Sequence, residues 1–395
     1  MHILLLAPSN NIHSQRFVRM LLDAGHRVTL VDRNNPIQPP QGAFEFIRLN
    51  EIRGIHRLGE NGAIRAEAWL RIPQMRLIWQ RIKPDVVNVH WIDDRVWSCA
   101  KAGLRPLVLS CWGSDINHLF APLGSDTHHL EAPENKIKGY RRRIAFALRS
   151  ADCITADSQE VLDRCESLAG RRLSTSLWYL GINTERFKPG YVQEAEALRQ
   201  RLNIPSSSKV LLSSRRLFPL LGQYRILEAF ADVTSDPKMP DAVLVFRRNC
   251  ALEELESDLR QQVEKLGVKD KVRWLDGTSY DEVPVHYAMA DIVINYPERD
   301  AFPVSLLEAA ASKRLVISAD LRAYDGVFGD SFFMVPPNDA EALAKGLKTC
   351  LTEEPNQTRQ RIEKAYAIVE SVASQQESVR KITRIFETAR SHRGK

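Results

Sequence analysis

Short apolar runs rich in Val, Ile and Leu, each followed by a turn and an amphipathic stretch, recur along nearly the whole chain. "HILLLAP" (2–8) reads as a strand, "SQRFVRMLLDAG" (14–25) as a helix closed by Gly25, and "HRVTLVD" (26–32) as the next strand. Unbroken apolar runs that alternate with helical patterns belong to parallel sheets covered by helices on both faces. The series continues through "DVVNVHW" (85–91), "PLVLSCW" (106–112), "DCITAD" (152–157) and "STSLWYLG" (174–181).

The rhythm breaks at "INTERFKPGYVQEAEA", where Pro189 and Gly190 suit a linker. A second series then runs through "KVLLSSRRL" (209–217), "AVLVFRR" (242–248), "KVRWLDG" (271–277), "DIVINYP" (291–297), "RLVISAD" (314–320) and "SFFMVPP" (331–337). The spacing predicts two doubly wound Rossmann-like α/β domains, over 1–188 and 189–356, followed by helices over 357–395 that pack back toward the N-terminal domain. A chain of 395 residues supports this division, because single cores stop growing near 250 to 300 residues. Two such domains facing each other form a cleft, and ligands in open parallel sheets sit outside the carboxyl ends of the strands.

Composition narrows the setting. The six cysteines (Cys99, Cys111, Cys153, Cys165, Cys250 and Cys350) form no C-x-x-C pair and mostly sit in apolar runs, which fits a reducing cytoplasmic environment. No run reaches the length of a membrane span, so a soluble or peripheral chain is expected. The positive charge is N-terminal: 26 Lys and Arg stand against 19 Asp and Glu up to Lys188, and 29 against 30 thereafter. Much of it lies in "KIKGYRRRIAFALRS" (136–150), which suits either a solvated helix with one core face or a contact with the inner face of a membrane. No nucleic-acid-binding signature accompanies the charge. No Asp-x-Asp strand-end motif or His/Cys cluster has metal-ligand spacing, and the adjacent His128 and His129 do not easily face one ion, so no metal and no cofactor are expected.

The richest candidate site is "YPERDAFPVSLLEAAASKRLVISAD" (296–320). Pro303 suits a first helical turn, where the free N–H groups of Phe302, Val304 and Ser305 can receive a diphosphate. Glu308 can then accept two ribose hydroxyls, and Asp300 can reach sugar hydroxyls across the phosphates. Both carboxylates also suit a simple capping role. After the first strand, Asn11, His13 and Arg16 are placed to line the cleft, and His90 ends another strand.

These segments together resemble the retaining nucleotide-sugar glycosyltransferases of family 4, which have the GT-B fold. The resemblance rests on "DAFPVSLLEAAASKRLVISAD" and, in the same order as the family, "SNNIHSQRFVRMLLDAGHRVTLVD", "KPDVVNVHW", "LVLSCWGSDI", "ADCITADSQEVLDRC", "GINTERFKP" and "RRLFPLLGQYRILEAF". It implies metal-independent, hexosyltransferase-like transfer from a nucleoside diphosphate sugar to a glycan, lipid-linked or other cell-surface acceptor, as in polysaccharide biosynthesis. Asp300, Arg216 and His90 would serve catalysis; Arg215, Arg216, Phe302, Pro303, Val304 and Glu308 would bind the donor; Asn11, His13, Arg16, Trp112 and Asp115 would face the acceptor or the cleft.

The sequence also departs from that family. Leu221 stands where a lysine normally holds the diphosphate, Asp300 replaces the first glutamate, and Trp112 occupies a position where many members have histidine. Arg215, Arg225, Arg247 and Arg248 are candidates to restore the missing charge. Leu221 therefore keeps a second reading open, a catalytically weak GT-B subunit with a binding or assembly role. A 2-epimerase on the same fold would need differently placed acidic and histidine residues, and a dinucleotide oxidoreductase would need the absent G-x-G-x-x-G.

Overall fold

The computed structural model describes residues 1–36, 42–50, 52, 59–120, 134–248, 252–277 and 279–391. By internal contacts the chain divides into two units, Met1–Gly181 with Gln375–Lys395, and Ile182–Ser374. His128, His129 and Cys250 lie outside the described residues, and the other five cysteines are buried free thiols.

In the first unit β1 (His2–Leu6), α1 (Ile12–Asp23), β2 (Arg27–Asp32), β3 (Phe44–Arg48), α2 (Gly59–Ile82), β4 (Val86–His90) and α3 (Asp94–Lys101) follow one another. β5 (Leu107–Ser110), α4 (Ser114–Asn117), α5 (Glu134–Ser150), β6 (Cys153–Ala156), α6 (Gln159–Ala169) and β7 (Thr175–Leu177) complete its strands. All seven strands are parallel, in the order β3-β2-β1-β4-β5-β6-β7. β1 and β4 are almost wholly buried, as their continuous apolar sequences require. β3 is an addition to the expected series: "FEFIR" is short and half-exposed at the sheet edge, so it lacks the apolar run that marks its neighbours.

The second unit runs α7 (Val192–Arg201), β8 (Lys209–Ser213), α8 (Gln223–Ser235), β9 (Ala242–Arg247), α9 (Glu253–Lys265), β10 (Val272–Leu275) and α10 (Val283–Met289). It continues with β11 (Ile292–Asn295), α11 (Val304–Ala311), β12 (Leu315–Ala319), β13 (Phe333–Val335), α12 (Ala340–Thr352) and α13 (Pro355–Val372). Its six parallel strands have the order β10-β9-β8-β11-β12-β13. Leu211, Leu244, Phe246, Ile294 and Ile317 form its core with Phe230 and Leu347 of the covering helices.

The units change at Gly181 rather than Lys188 for a local reason. Arg186 donates to the Tyr280 carbonyl at 2.5 Å and pairs with Asp281 at 2.6 Å, and the fully buried Phe187 packs on Tyr280 and Tyr287. The terminal helices are also split. α13 belongs to the second unit, whereas α14 (Gln375–Ser391) joins the first, where Ser378 receives the Trp178 indole N–H at its carbonyl and donates its hydroxyl to the Tyr179 carbonyl.

The basic stretch within α5 is largely engaged inside the first unit. Arg143 pairs with Asp94 at 2.6 Å, Arg141 lies over the Phe120 ring, and Arg149 donates to the Ala169 carbonyl. Lys138, Arg142 and Arg149 remain exposed. No described helix is long and apolar enough to cross a membrane.

Candidate active site

Each sheet reverses its direction of growth at one point, between β1 and β4 in the first and between β8 and β11 in the second. Such a reversal opens a crevice at the carboxyl ends of the strands. The two edges are built differently.

At the first edge, Asn11 caps α1 by accepting the His13 amide at 2.8 Å. His13 stacks on Trp112, which lies parallel to Trp91 with ring centroids 4.8 Å apart. Trp91 holds a left-handed φ of 62°, costly for a bulky residue, so the surrounding structure must fix it. Asp115 provides part of that fixing: it accepts the amides of Ile92 and Trp112 and so ties the loops after β4 and β5 together. Burial pushes its carboxyl up to about 6, against the opposing pull of those amides.

One expectation for this edge needs correction, and three more of the expected residues are held by backbone groups. His90 has no exposed surface; it bonds Asn88 and packs against Phe17 and Trp112, and burial lowers its pKa to about 3, so it is a neutral core residue without access to a ligand. Asp115 is a loop clamp and Asn11 a helix cap. Arg16 reaches the Gly181 carbonyl at 2.9 Å. Only His13 and Trp112 of the expected residues join one surface feature, and Trp91 completes it.

At the second edge, Arg215 follows β8 and pairs with Asp300 at 2.5 Å while also donating to Asn295 at the end of β11. The Tyr324 hydroxyl donates to the same Asp300 oxygen at 3.3 Å. Burial works against the Arg215 charge, but Asp300 more than offsets it, so the guanidinium pKa is raised. Asp300 is thus held in place by a partner from another strand.

Glu308 is 6% exposed in α11, and the hydroxyls of Tyr280 and Tyr287 donate to its two oxygens at 2.9 and 3.2 Å. A carboxylate offers about four lone-pair sites, more than these two hydroxyls use. Pro303 precedes the helix, and the Val304 and Ser305 amides belong to its first turn, where no intrahelical acceptor exists. Phe302 is buried against Tyr324 and Phe328 and acts as packing for the loop.

The arginines divide sharply. Arg225 pairs with Glu298, and Arg248 pairs with Glu256 and Asp276. Arg216 is exposed, its guanidinium 4.7 Å from the Phe218 ring centre, with no ion pair among the described residues. Arg247, at the end of β9, has a buried Nε without a hydrogen-bond partner among the described residues. It lies close enough to His286 to help burial depress that imidazole to about 3. The buried Ser305 hydroxyl also has no partner among the described residues.

Leu221 is buried in the turn Pro219–Leu221 that enters α8. The next residue, Gly222, has φ 76°, and a Cβ there would stand 1.9 Å from the Tyr296 carbonyl oxygen. The β8 loop therefore presses backbone to backbone on the end of β11. Tyr280, Tyr287, Tyr324 and Asn295 were not among the expected residues. Asn295 and Tyr296 end an apolar strand, a weak sequence signal, whereas the tyrosines come from distant segments. Among the described residues, no group of three or more His, Cys, Asp or Glu is placed to hold a metal ion.

Two Rossmann-like parallel sheets in tandem, with a likeness of fold to solved glycosyltransferase structures, make this the GT-B class. Residues 2–158 match the family described as glycosyl transferase 4-like, and residues 194–367 match glycosyl transferases group 1. The chain belongs to the glycosyltransferases of this family-4 type. A D-inositol 3-phosphate glycosyltransferase of Corynebacterium urealyticum is 28% identical over 217 residues, 52% of this chain and 50% of the relative. A second enzyme of that name, from Corynebacterium glutamicum, is 23% identical over 71% of this chain and 67% of its own length, so the chain spans only half to two thirds of such relatives. Among solved structures, Anabaena HepE in complex with UDP and glucose aligns over 98% of this chain and 100% of its own, with TM-score 0.72 and 19% identity, a likeness of fold.

Proposed function

We propose that the chain is a retaining glycosyltransferase that moves a sugar from a nucleoside diphosphate sugar to a glycan, lipid-linked or other cell-surface acceptor. The observation that carries this reading is the second edge: Arg216 and Arg247 lack acidic partners among the described residues and share that edge with the first turn of α11 and Glu308. In this reading the diphosphate lies on the α11 amides, Arg216 and Arg247 take up its charge, and Glu308 accepts from the ribose. Asp300, oriented by Arg215, meets sugar hydroxyls. Negative charge grows on the departing diphosphate, and preoriented donors aimed at it are each worth about 2.7 to 4 kcal/mol in the transition state. Arg247 supplies from β9 the charge that Leu221 does not supply from the β8 loop, and the arginines let the chemistry run without a metal ion. Retention follows the family likeness, with the acceptor hydroxyl entering on the face that the diphosphate leaves. In this reading the reaction runs on the cytoplasmic side of a membrane.

The buried Leu221 supports one other reading, a subunit that binds the donor without turning it over. Thermal shift and turnover across UDP, GDP, ADP and CMP sugars test both. A ligand at 100 times its dissociation constant stabilises by about 2.7 kcal/mol. Stabilisation with release of free nucleotide is the expected result, stabilisation without turnover supports the subunit, and no stabilisation by any donor contradicts both.

A further inference from the structure

We propose that the outward face of α2 is a docking surface for an anionic lipid bilayer. α2 is apolar on two sides. Ala68, Arg71 and Met75 form its buried side, while Trp69, Leu70 and Leu77 are 61%, 54% and 66% exposed on the other, with Pro73 exposed between them. Trp69, Pro73 and Leu77 recur every fourth residue, so they line one stripe along the helix. A helix apolar all round belongs in an interior. Here the second side faces solvent.

Charge identifies the occupant. Arg65, Arg76 and Arg81 are exposed and flank the stripe, with Arg81 also paired to Glu45 at 3.5 Å. The one acid between Gly62 and Lys83 is Glu67, and it is spent on Arg33 and Arg71. An apolar stripe bordered by arginine and carrying an exposed tryptophan has the composition of a helix that lies in a membrane interface. A second copy of the chain would set one basic border against another, which like-charge repulsion opposes.

The neighbouring α5 extends the basic border. The Arg65 guanidinium stands 3.2 Å from the position a Cβ would take at Gly139 of α5, beside the exposed Lys138 and Arg142. With Arg141 and Arg143 engaged within the unit and the exposed Arg149 bonded to the Ala169 carbonyl, α5 supplies a margin of charge and α2 supplies the apolar contact. The geometry points away from the basic run as the principal membrane contact. Trp69 is held for insertion by an edge-on contact with Trp97, at 4.9 Å between ring centres.

This surface does not depend on the proposed transfer chemistry, and the test separates the two. The full chain is sedimented with vesicles of phosphatidylcholine containing phosphatidylglycerol. The expected result is binding that weakens with salt, and a partition coefficient lowered about tenfold or more by Leu70→Glu with Leu77→Glu. Arg142→Gln should lower it by no more than about fivefold, the weight of one basic residue near an anionic surface. Circular dichroism and thermal melting matching the parent show that the double variant is folded. As a second measurement on the fully native surface, brominated acyl chains should quench tryptophan emission, and Trp69→Phe should remove most of that quenching. Three results would each overturn the proposal: no sedimentation of the parent at low salt, equal sedimentation of the double variant, or a lipid-free dimer that the double variant dissolves.

Discussion

The two sheet edges share a topology and differ in what their polar groups already hold. At the first, Asp115, Asn11 and Arg16 are occupied by backbone groups, and what remains is a stack of His13, Trp112 and Trp91. At the second, two carboxylates are fixed by Arg215 and three tyrosines, while Arg216 and Arg247 carry charge with no acid opposite among the described residues. The first edge also holds buried polar atoms without a partner among the described residues, His90 Nδ1 and Trp112 Nε1, but these belong to uncharged rings in a stack; the second edge, with uncompensated cations, favours an anion. The contrast separates structural from ligand-ready residues better than residue type does.

The sharpest way to break this contrast is at a glycine. Gly25 and Gly222 both have φ 76°, but a Cβ meets nothing within 4 Å at Gly25 and the Tyr296 carbonyl at 1.9 Å at Gly222. Gly222→Ala should cost about 4 kcal/mol or more in denaturant unfolding and abolish nucleotide binding. Gly25→Ala should cost about 1 to 2 kcal/mol and leave binding unchanged. Equal losses would mean that the β8 loop does not press on β11.

Removing Arg215 leaves the mostly buried Asp300 without its ion-pair partner. Arg215→Ala should destabilise by about 3 kcal/mol, and Arg215→Ala with Asp300→Asn should recover most of that loss in a double-mutant cycle. Additive losses would separate the pair.

Acidity probes the Arg247 neighbourhood. His286 is depressed to about 3 from an ordinary 6.5, chiefly by burial and then by Arg247. Between those values the unfolded chain binds the extra proton, so stability falls as pH falls, by roughly 1.4 kcal/mol per unit well below 6.5. His286→Gln should flatten the melting temperature between pH 6 and pH 5 relative to the parent; an unchanged slope would place the sensitivity elsewhere. The smallest effect belongs to the first edge, where Asn11→Ala should cost about 1 kcal/mol as a lost helix cap, with no change in nucleotide affinity.

Much of this architecture is legible in the sequence because fully buried parallel strands need continuous apolar runs. "HILLL" and "VVNVH" announce β1 and β4, and "VSLLEAAA" announces α11. β3 escapes because an edge strand covered on one side needs no such run. The site is legible only where a residue and its partner share a segment. Asp300 and Glu308 stand out beside Pro303, but the tyrosines that hold Glu308 come from Tyr280 and α10, and no spacing rule connects them. Likewise Arg215 and Arg216 are adjacent in sequence, and only the structure shows one turned to Asp300 and the other to solvent. His90 misleads for the converse reason: a strand end near the crevice can still be fully covered.

Calorimetric titration of nucleoside diphosphates tests the central claim most directly, with Arg247→Ala and Glu308→Gln compared against Trp112→Ala and His13→Ala. Charge-assisted hydrogen bonds are worth about 1.5 to 3 kcal/mol, so each of the first pair should weaken the preferred nucleotide about tenfold or more. The second pair should stay within about twofold, as expected for sites that do not touch the nucleotide. Unchanged binding in Arg247→Ala and Glu308→Gln, with loss in Trp112→Ala, would contradict the assignment of the donor to the second edge.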